Sequence, residues 1–363
     1  MIRQHGKLTF LSFLLVVLCG NTFAQKIPVI PLDLDSLITV GYATGSLKTL
    51  SGSVEKITEK QMNKDQVTNP LEAIRGRVPG LTIQRGTNGL AALDAVRLRG
   101  TTSLTSGNDP LIIVDGVFGD LSMLTSIYPT DIESFTILKD ASETAQYGSR
   151  GASGVIEVTT KKGMQGRTQV AYNGSFGIST VYKNLKMLSG DEFRSVASER
   201  GISILDKGNN TNFQKEIQQT GLQQNHHVAF YGGSSTSSYR VSLGFMDRQG
   251  VILNEDMKNF TSNMNMNQKM FDGFFDCELG MFGSILKNHN LVDYQKTFYS
   301  AATFNPTYPN HKDPVTNSWD GITTASQITN PLAWMQVDDD DATSHISTHA
   351  RFTFNLMKEL KLV

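Results

Sequence analysis

Residues 98–162 read LRGTTSLTSGNDPLIIVDGVFGDLSMLTSIYPTDIESFTILKDASETAQYGSRGASGVIEVTTKK. The short apolar runs at 111–114, 135–138 and 154–159 are rich in Ile and Val and bounded by turn residues, the pattern of buried strands. Asp115-Gly116 follows the first run directly and is a tight-turn dipeptide. Asp140 can cap a short helix that begins at Ala141, and Glu143 stands at its third position, where it can bond back to the cap backbone. That helix lasts about two turns before Gly148, which suits a left-handed C-terminal stop. The stretch predicts a small mixed α/β globule with short connections.

The segments LRG at 98–100, NDPLIIVDGV at 108–117, PTDIESFTILKDAS at 129–142 and YGSRGASGVIEVTTKKG at 147–163 resemble, in order and separation, the plug domain of SusC/RagA-type TonB-dependent transporters. LEAIRGRVPGLTI at 71–83 is similar to the earlier part of that plug. Arg99, Gly100, Asp115, Gly116, Asp131, Glu133, Lys139, Asp140, Tyr147, Gly148, Arg150, Gly151 and Gly154 stand at the matching positions. The resemblance implies an α+β plug domain followed by the first strands of an antiparallel transmembrane β-barrel. In complete family members that barrel has about 22 strands, within the range of bacterial outer-membrane barrels. It further implies an outer-membrane importer, not an enzyme, with no cofactor. Its partners would be TonB with the ExbB/ExbD proton-driven motor, a SusD-like substrate-binding lipoprotein, and a ligand too large for porins, an oligosaccharide or peptide.

Composition agrees with β-structure in an unusual solvent. The 363 residues carry a net charge of −1, so nothing marks a nucleic-acid partner. Charged residues are 18%, against the usual ~25%, while Gly, Phe and Tyr number 32, 19 and 10. Arg3, His5 and Lys7 precede an apolar run at 8–18, and Thr22-Phe23-Ala24 offers a cleavage site. These are the parts of an export signal over 1–24, with Gln25 as the mature start. The apolar run is too short for the ~20 residues of a spanning helix. Of the two cysteines, Cys19 lies within that signal behind Leu18, where lipobox sequences carry a small residue, and Cys277 then stands alone.

Residues 25–45 form a tail with Pro28 and Pro31 resisting helix, ending in Leu37-Ile38-Thr39-Val40. Such apolar β-formers suit pairing with another protein's sheet edge. In SusC-like proteins a TonB-box-like segment stands here, before a sequence similar to Val40-Gly41-Tyr42, so Leu37, Ile38, Thr39, Val40 and Gly41 are candidate TonB contacts. The alternative is an ordinary first strand of the plug. The extra N-terminal domain of many relatives has no room between the signal and this box.

Residues 46–163 form the plug. Asn69, Pro70 and Glu72 start a helix as cap, first position and third position. It ends before Pro79-Gly80, and 81–85 reads as a strand. Residues 86–93 and 101–109 are loops facing either substrate or periplasm.

From Arg167 onward, residues 164–363 show clean alternation. Apolar Val170, Tyr172, Phe176 and Ile178 stand opposite Gln169, Asn173 and Ser175. Tyr239, Val241, Leu243 and Phe245 oppose Arg240 and Ser242; Met264, Met266 and Met270 oppose Asn263, Asn265, Asn267 and Lys269. Cys277, Leu279, Met281 and Ile285 oppose Asp276, Glu278 and Ser284, and 346–356 repeats the pattern. Alternating segments of ~10 residues separated by turns mark transmembrane β-barrels. A soluble β-sandwich also alternates, but here charge stays off one face in every segment and an export signal precedes them. Residues 189–204 and 212–220 read as polar helices in connections, and 291–337 is similar to a long extracellular loop of the family.

Apparent active sites dissolve on inspection. Gly148, Gly151 and Gly154 follow a helix and precede a strand, the reverse of a dinucleotide cradle, and read as turn glycines. Alternation puts Asp131 and Glu133 on one face, and with Asp140 they read as helix caps and solvated strand ends, since no matching nucleophile accompanies them. His226 and His227 point to opposite faces of a strand. His345 and His349 have helical metal spacing but flank a strand, and Asp338–Asp341 lacks the glycine of a calcium loop. No metal site is expected.

With 225–232 and a start at 359–363, these segments are fewer than the ~8 strands a membrane barrel needs. The expectation is the N-terminal part of an outer-membrane transporter. The alternative is a truncated, non-transporting, exported plug-like binding protein.

Overall fold

The computed structural model describes residues 37–40, 43–46, 52–63, 67, 69–86, 89–90, 94–105, 107–321, 329–337, 339–357 and 360–363. The signal at 1–24, Gln25 and the tail up to residue 36 lie outside the described residues, as do Gly41 and Tyr42 of the box.

The chain begins with a hairpin of β1 (Leu37–Val40) and β2 (Ala43–Ser46), paired Val40 to Ala43 and Leu37 to Ser46. It forms a two-stranded sheet of its own, so β1 is not the first strand of the plug's sheets. The plug follows. β3 (Val54–Thr58) leads to α1 (Pro70–Ile74), which the Asn69 carboxamide caps by accepting from the Leu71 N–H. β4 (Leu81–Gln84) and β5 (Ala95–Leu98) pair as a separate small sheet. β6 (Leu111–Val114) and β7 (Val117–Gly119) form a hairpin across Asp115 and Gly116, both at positive φ (49° and 91°), the geometry of a primed turn. After α2 (Leu121–Thr125) come β8 (Ile132–Leu138), α3 (Ala141–Thr144) and β9 (Val155–Thr160).

These strands make a five-stranded sheet in the order β3-β8-β9-β6-β7, with β6 and β9 parallel. β6 is buried along its length and β8 at all but Glu133, as the continuous apolar runs require. Ile74, Ile112, Val114, Leu124, Phe135, Ile137 and Ile156 close the core, each worth about 1.5–3 kcal/mol of burial.

Two local expectations give way around α3. The Asp140 side chain makes no cap bond; it accepts from the Ser53 N–H and pairs with Arg99. Glu143 likewise accepts from the Gly52 N–H at 3.1 Å instead of the cap backbone. A guanidinium and the amides of an incoming strand outcompete an exposed cap, because charge-assisted bonds are the stronger kind. The helix is also shorter than expected, passing into a 3₁₀ turn at Ala145–Gly151. Gly148 (φ 61°, ψ −147°) kinks that turn in a region open essentially to glycine, without ending it as a left-handed cap.

Residues 164–363 form a wall. β10 (Gly166–Ser179), β11 (Gly221–Gly233), β12 (Ser237–Gln249), β13 (Asp256–Met270), β14 (Phe275–His289), β15 (Asp340–Met357) and β16 (Leu360–Leu362) pair antiparallel in sequence order. This sheet is open, and its polarity is inverted relative to a soluble protein. Val170 and Tyr172 are 61% and 64% exposed, and Phe245, Met264 and Leu279 are exposed too, whereas Arg240, Ser242, Asn263 and Asn265 are buried. The polar face is covered by the plug.

The connections differ at the two ends of the wall. At one end are tight turns, 234–236 and 271–274. At the other, 180–220 carries α4 (Gly190–Glu199, with a full capping box on Ser189 and Glu192) and α5 (Phe213–Glu216), and 290–339 carries α6 (Tyr294–Thr303) and α7 (Pro331–Trp334). With Ile252 of the short β12–β13 connection, these long connections share a core of Phe213, Ile217, Leu291, Phe304 and Met335, so they form a folded cap.

Candidate functional site

The chemistry of this chain is concentrated where plug meets wall, and it is layered. Nearest the tight-turn end, Lys162 of the plug pairs with Glu278 of β14, and Arg351 of β15 reaches the same carboxylate at 3.3 Å. Arg351 also lies 3.5 Å from the Asp115 carbonyl oxygen. The Asp115 carboxylate accepts from the Thr160 N–H (2.9 Å) and hydroxyl (2.6 Å), closing the β6–β7 turn onto β9. Asn265 of β13 then donates to the Thr160 hydroxyl at 3.1 Å, carrying the network into the wall.

Beside it sits Asp131, 2% exposed. It accepts from Arg240 at 3.0 Å and from the Ser242 hydroxyl at 2.7 Å, and His227 Nε2 lies 3.1 Å away. All three partners are buried residues of β11 and β12. Burial alone would raise the carboxyl; contact with His227, Ser242 and Arg240 overturns that and holds it below its ordinary value. Asp131 is therefore neither a cap nor a solvated strand end. The 3₁₀ turn Pro129–Asp131 and a register shift after Ile132 break the alternation, so Asp131 turns into the interface while Glu133 is exposed.

Above Asp131 the contact becomes apolar and close. Tyr128 stacks on His227 with ring centroids 4.7 Å apart, and Gly244 lets it approach the wall: a Cβ there would stand 2.5 Å from the Tyr128 ring. Burial first, then the Asp131 charge, push the Tyr128 phenol up to about 12. Phe282, on the inward face of β14, is 2% exposed and joins the plug's own core.

Toward the long-connection end the contact opens into a cavity of about 330 Å³ between α1, α2 and β12–β15. Gly89 and Leu90 of the plug reach the folded cap there, and a Cβ on Gly89 would lie 2.7 Å from the Tyr294 hydroxyl. That hydroxyl donates to Glu255 at 2.6 Å, and burial raises the Glu255 carboxyl.

The remaining motif residues serve the plug internally. Arg99 and Gly100 turn the chain at φ 57° and 97°. Lys139 is bound to Glu55 at 2.9 Å and to the Pro79 carbonyl at 3.3 Å. Tyr147 donates to Glu157 at 2.5 Å, and Arg150 lies over the Phe118 ring at 5.5 Å. Gly116 and Gly154 have positive φ, whereas Gly151 is required by space, a Cβ falling 2.7 Å from the Thr144 carbonyl. His226 and His227 do face opposite ways: His226 meets the Tyr172 hydroxyl at 2.7 Å on the outer face. His345 and His349 lie within β15 rather than flanking it. Among the described residues no cluster of His, Cys, Asp and Glu could hold a metal ion.

The interface partners Arg240, Ser242, His227, Asn265, Glu278, Arg351 and Phe282 carry no local motif. Their only signal in the sequence is that buried polar residues occupy the inward face of alternating strands.

A small α/β plug seated against the polar face of a β-wall whose other face is apolar defines a TonB-dependent receptor of the outer membrane. Residues 46–155 match the TonB-dependent receptor plug domain family. The chain is 32% identical over 364 residues to the TonB-dependent receptor SusC of Bacteroides thetaiotaomicron, covering 91% of this chain and 36% of that protein. It is 34% identical over 266 residues to the TonB-dependent receptor P3 of Formosa agariphila, covering 73% of this chain and 26% of that one. Among solved structures, the RagAB peptide importer in its open-open state shares the fold with a TM-score of 0.75 at 24% identity, over 90% of this chain and 41% of that chain. The chain thus spans 36% and 26% of the lengths of these two curated relatives. It belongs to the SusC/RagA type of TonB-dependent receptors and is an outer-membrane protein.

Proposed function

We propose that the complete protein imports a large nutrient, an oligosaccharide or peptide, across the outer membrane in a TonB-dependent manner. A SusD-like lipoprotein captures the ligand outside, and TonB, energised by ExbB/ExbD, acts on the segment Leu37–Gly41. Residues 1–24 direct export and are removed, 25–45 are the tail, 46–163 the plug and 164–363 part of the barrel. The observation that carries this reading is the buried contact of Asp131 with Arg240, Ser242 and His227, which seats the plug inside a membrane wall. The orientation follows from the connections, since outer-membrane barrels have short periplasmic turns and long extracellular loops. A free exported plug-like protein is disfavoured, because it would have no solvent for the apolar outer face of the wall.

The test uses Val40→Pro in the complete protein. The substitution removes a backbone donor from the strand that would be read by TonB. Energised uptake is expected to collapse while ligand binding to the purified protein persists. Equal loss of binding would make the segment structural and remove it from the mechanism.

A further inference from the structure

The outer face of the wall changes character along its strands, and the change falls on one row of the ladder. Gln224, Asp247, Lys258, Lys287 and Ala342 stand side by side there, one from each strand from β11 to β15. The next outward row toward the tight turns, Phe245, Phe260 and Ile285, is apolar and exposed. From that row down to Met270 and Phe275 the outward positions of β12, β13 and β14 carry no charged residue. Phe260 and Met270 are ten residues apart. At about 3.4 Å per residue and a strand tilt of about 40°, this band is roughly 26 Å tall, the ~25 Å of an outer-membrane barrel's apolar belt. Lys258 and Lys287 therefore stand at the first level above the hydrocarbon, on the side of the long connections.

The two lysines are directly opposite each other and both exposed. Side chains so paired have Cβ atoms about 4.5–5.5 Å apart, and like charges there are destabilising. Among the described residues neither lysine is ion-paired. Asp247, on the other side of Lys258, accepts from Gln224 at 3.4 Å, and one row higher Asp340 is held by His289 at 2.7 Å, with Asp256 between β12 and β14 in that row. The register position beside Lys287 where a carboxylate could neutralise it is filled by Ala342.

Two adjacent ammonium groups offer six N–H donors to one anion, and a phosphate has the charge and the oxygens to engage both. Their stems lie over Phe260 and Ile285, while the charged heads rise into the polar layer. The row beneath is apolar and belongs to lipid, so the matching partner is an amphiphile with a phosphate at its head and acyl chains below. A water-soluble acidic protein would leave that row uncovered.

We infer that Lys258 and Lys287 form a binding site for a phosphate on a lipid of the outer leaflet, with the acyl chains lying on Phe245, Phe260 and Ile285. The inference rests on the orientation given above and is independent of what is imported.

The experiment is native mass spectrometry of the complete protein in a non-ionic detergent, titrated with diphosphorylated lipid A and, separately, with the same lipid after phosphatase treatment. The phosphorylated lipid should bind saturably, and removal of its phosphates should weaken binding tenfold or more. Joint replacement Lys258→Gln and Lys287→Gln should cause a similar loss with an unchanged melting profile, whereas Lys258→Arg with Lys287→Arg should retain binding. Ala342→Asp, which keeps both lysines and sets a carboxylate beside Lys287, should also weaken binding, and it decides alone should the glutamine variant fold poorly. Lys186→Gln, in the 180–220 connection, should change nothing. Binding indifferent to the phosphates, or unaltered in both the glutamine variant and Ala342→Asp, would overturn the site. Orientation is checked separately by labelling Asn317→Cys on intact cells with a membrane-impermeant maleimide: labelling supports the outer leaflet, and its absence overturns the orientation and the leaflet with it, leaving the phosphate titration to judge the lysines.

Discussion

The Asp131 contact yields the sharpest energetic prediction. Asp131→Ala leaves Arg240, whose side chain is 9% exposed, without its carboxylate, and strips Ser242 of its acceptor. Breaking a buried ion pair by removing one member costs about 3–5 kcal/mol. The remaining compensation for Arg240 is weak, a Tyr231 ring 5.4 Å from its guanidinium. At 1.4 kcal/mol per decade, opening of the plug from the wall should become roughly a hundred to several thousand times more frequent. The assay is backbone hydrogen exchange of Ile132–Leu138 in the complete, detergent-solubilised protein, where the barrel holds the reference state constant. Asp131→Asn keeps the shape and should cost less, about 1–2 kcal/mol, the difference between a charged and a neutral acceptor. The Asp131→Ala, Arg240→Met double mutant should be less damaged than the two single effects summed. The pH dependence has a definite sign. The folded carboxyl lies below its unfolded value of about 3.9, so its contribution is present above that value and lost as pH falls through the folded one. Exchange should therefore be insensitive to this group between about pH 5 and 8. Exchange in Asp131→Ala within about threefold of the parent would refute the claim that this ion pair seats the plug.

Other consequences can be checked separately. Gly244→Val should force Tyr128 off the wall and cost about 1–3 kcal/mol, read as a lowered unfolding temperature of the plug. Gly154→Ala sets a Cβ against Leu98 at φ 91° and should destabilise the plug by a similar amount, measured by urea titration. A fragment of residues 46–163 should be soluble with mixed α/β circular dichroism, since all but one of its buried core residues are its own; Phe282 is the exception. Residues 164–363 alone should aggregate without detergent. N-terminal sequencing of the membrane-extracted protein should begin at Gln25, and an intact Met1 would refute export cleavage there.

What the sequence made legible were features decided by neighbours. Asp115-Gly116 turns the chain because two positive-φ positions fit a primed hairpin, whatever surrounds them. The alternation of 237–249 or 256–270 is written in every second residue, and the side of the wall that faces lipid follows from it. Asp131 was misjudged because its environment comes from Arg240 and Ser242, 109 and 111 residues further on. Asp140 and Glu143 obeyed the spacing of a capping box but were claimed by Gly52, Ser53 and Arg99, distant in sequence and adjacent in space. Phe282 breaks the polar inward face, and only the plug's shape shows that it is a wedge.

The place of β3 has a mechanical consequence. It is an edge strand, antiparallel to β8, with Val54 opposite Leu138 and Thr58 opposite Ser134. Tension on the chain before Val54, applied across the strand, would load one rung at a time and unzip the ladder from the Leu138 end, whereas a pull along the strand would shear all rungs together. The first bonds to yield are those of Gly52 and Ser53 with Glu143 and Asp140, followed by the Lys139 contacts. The last rung lies beside Asp131, where the sheet is riveted to the wall. A pull of that kind would meet the bonds of Gly52 and Ser53 first and the part riveted at Asp131 last, which would favour peeling one strand over extracting the whole plug.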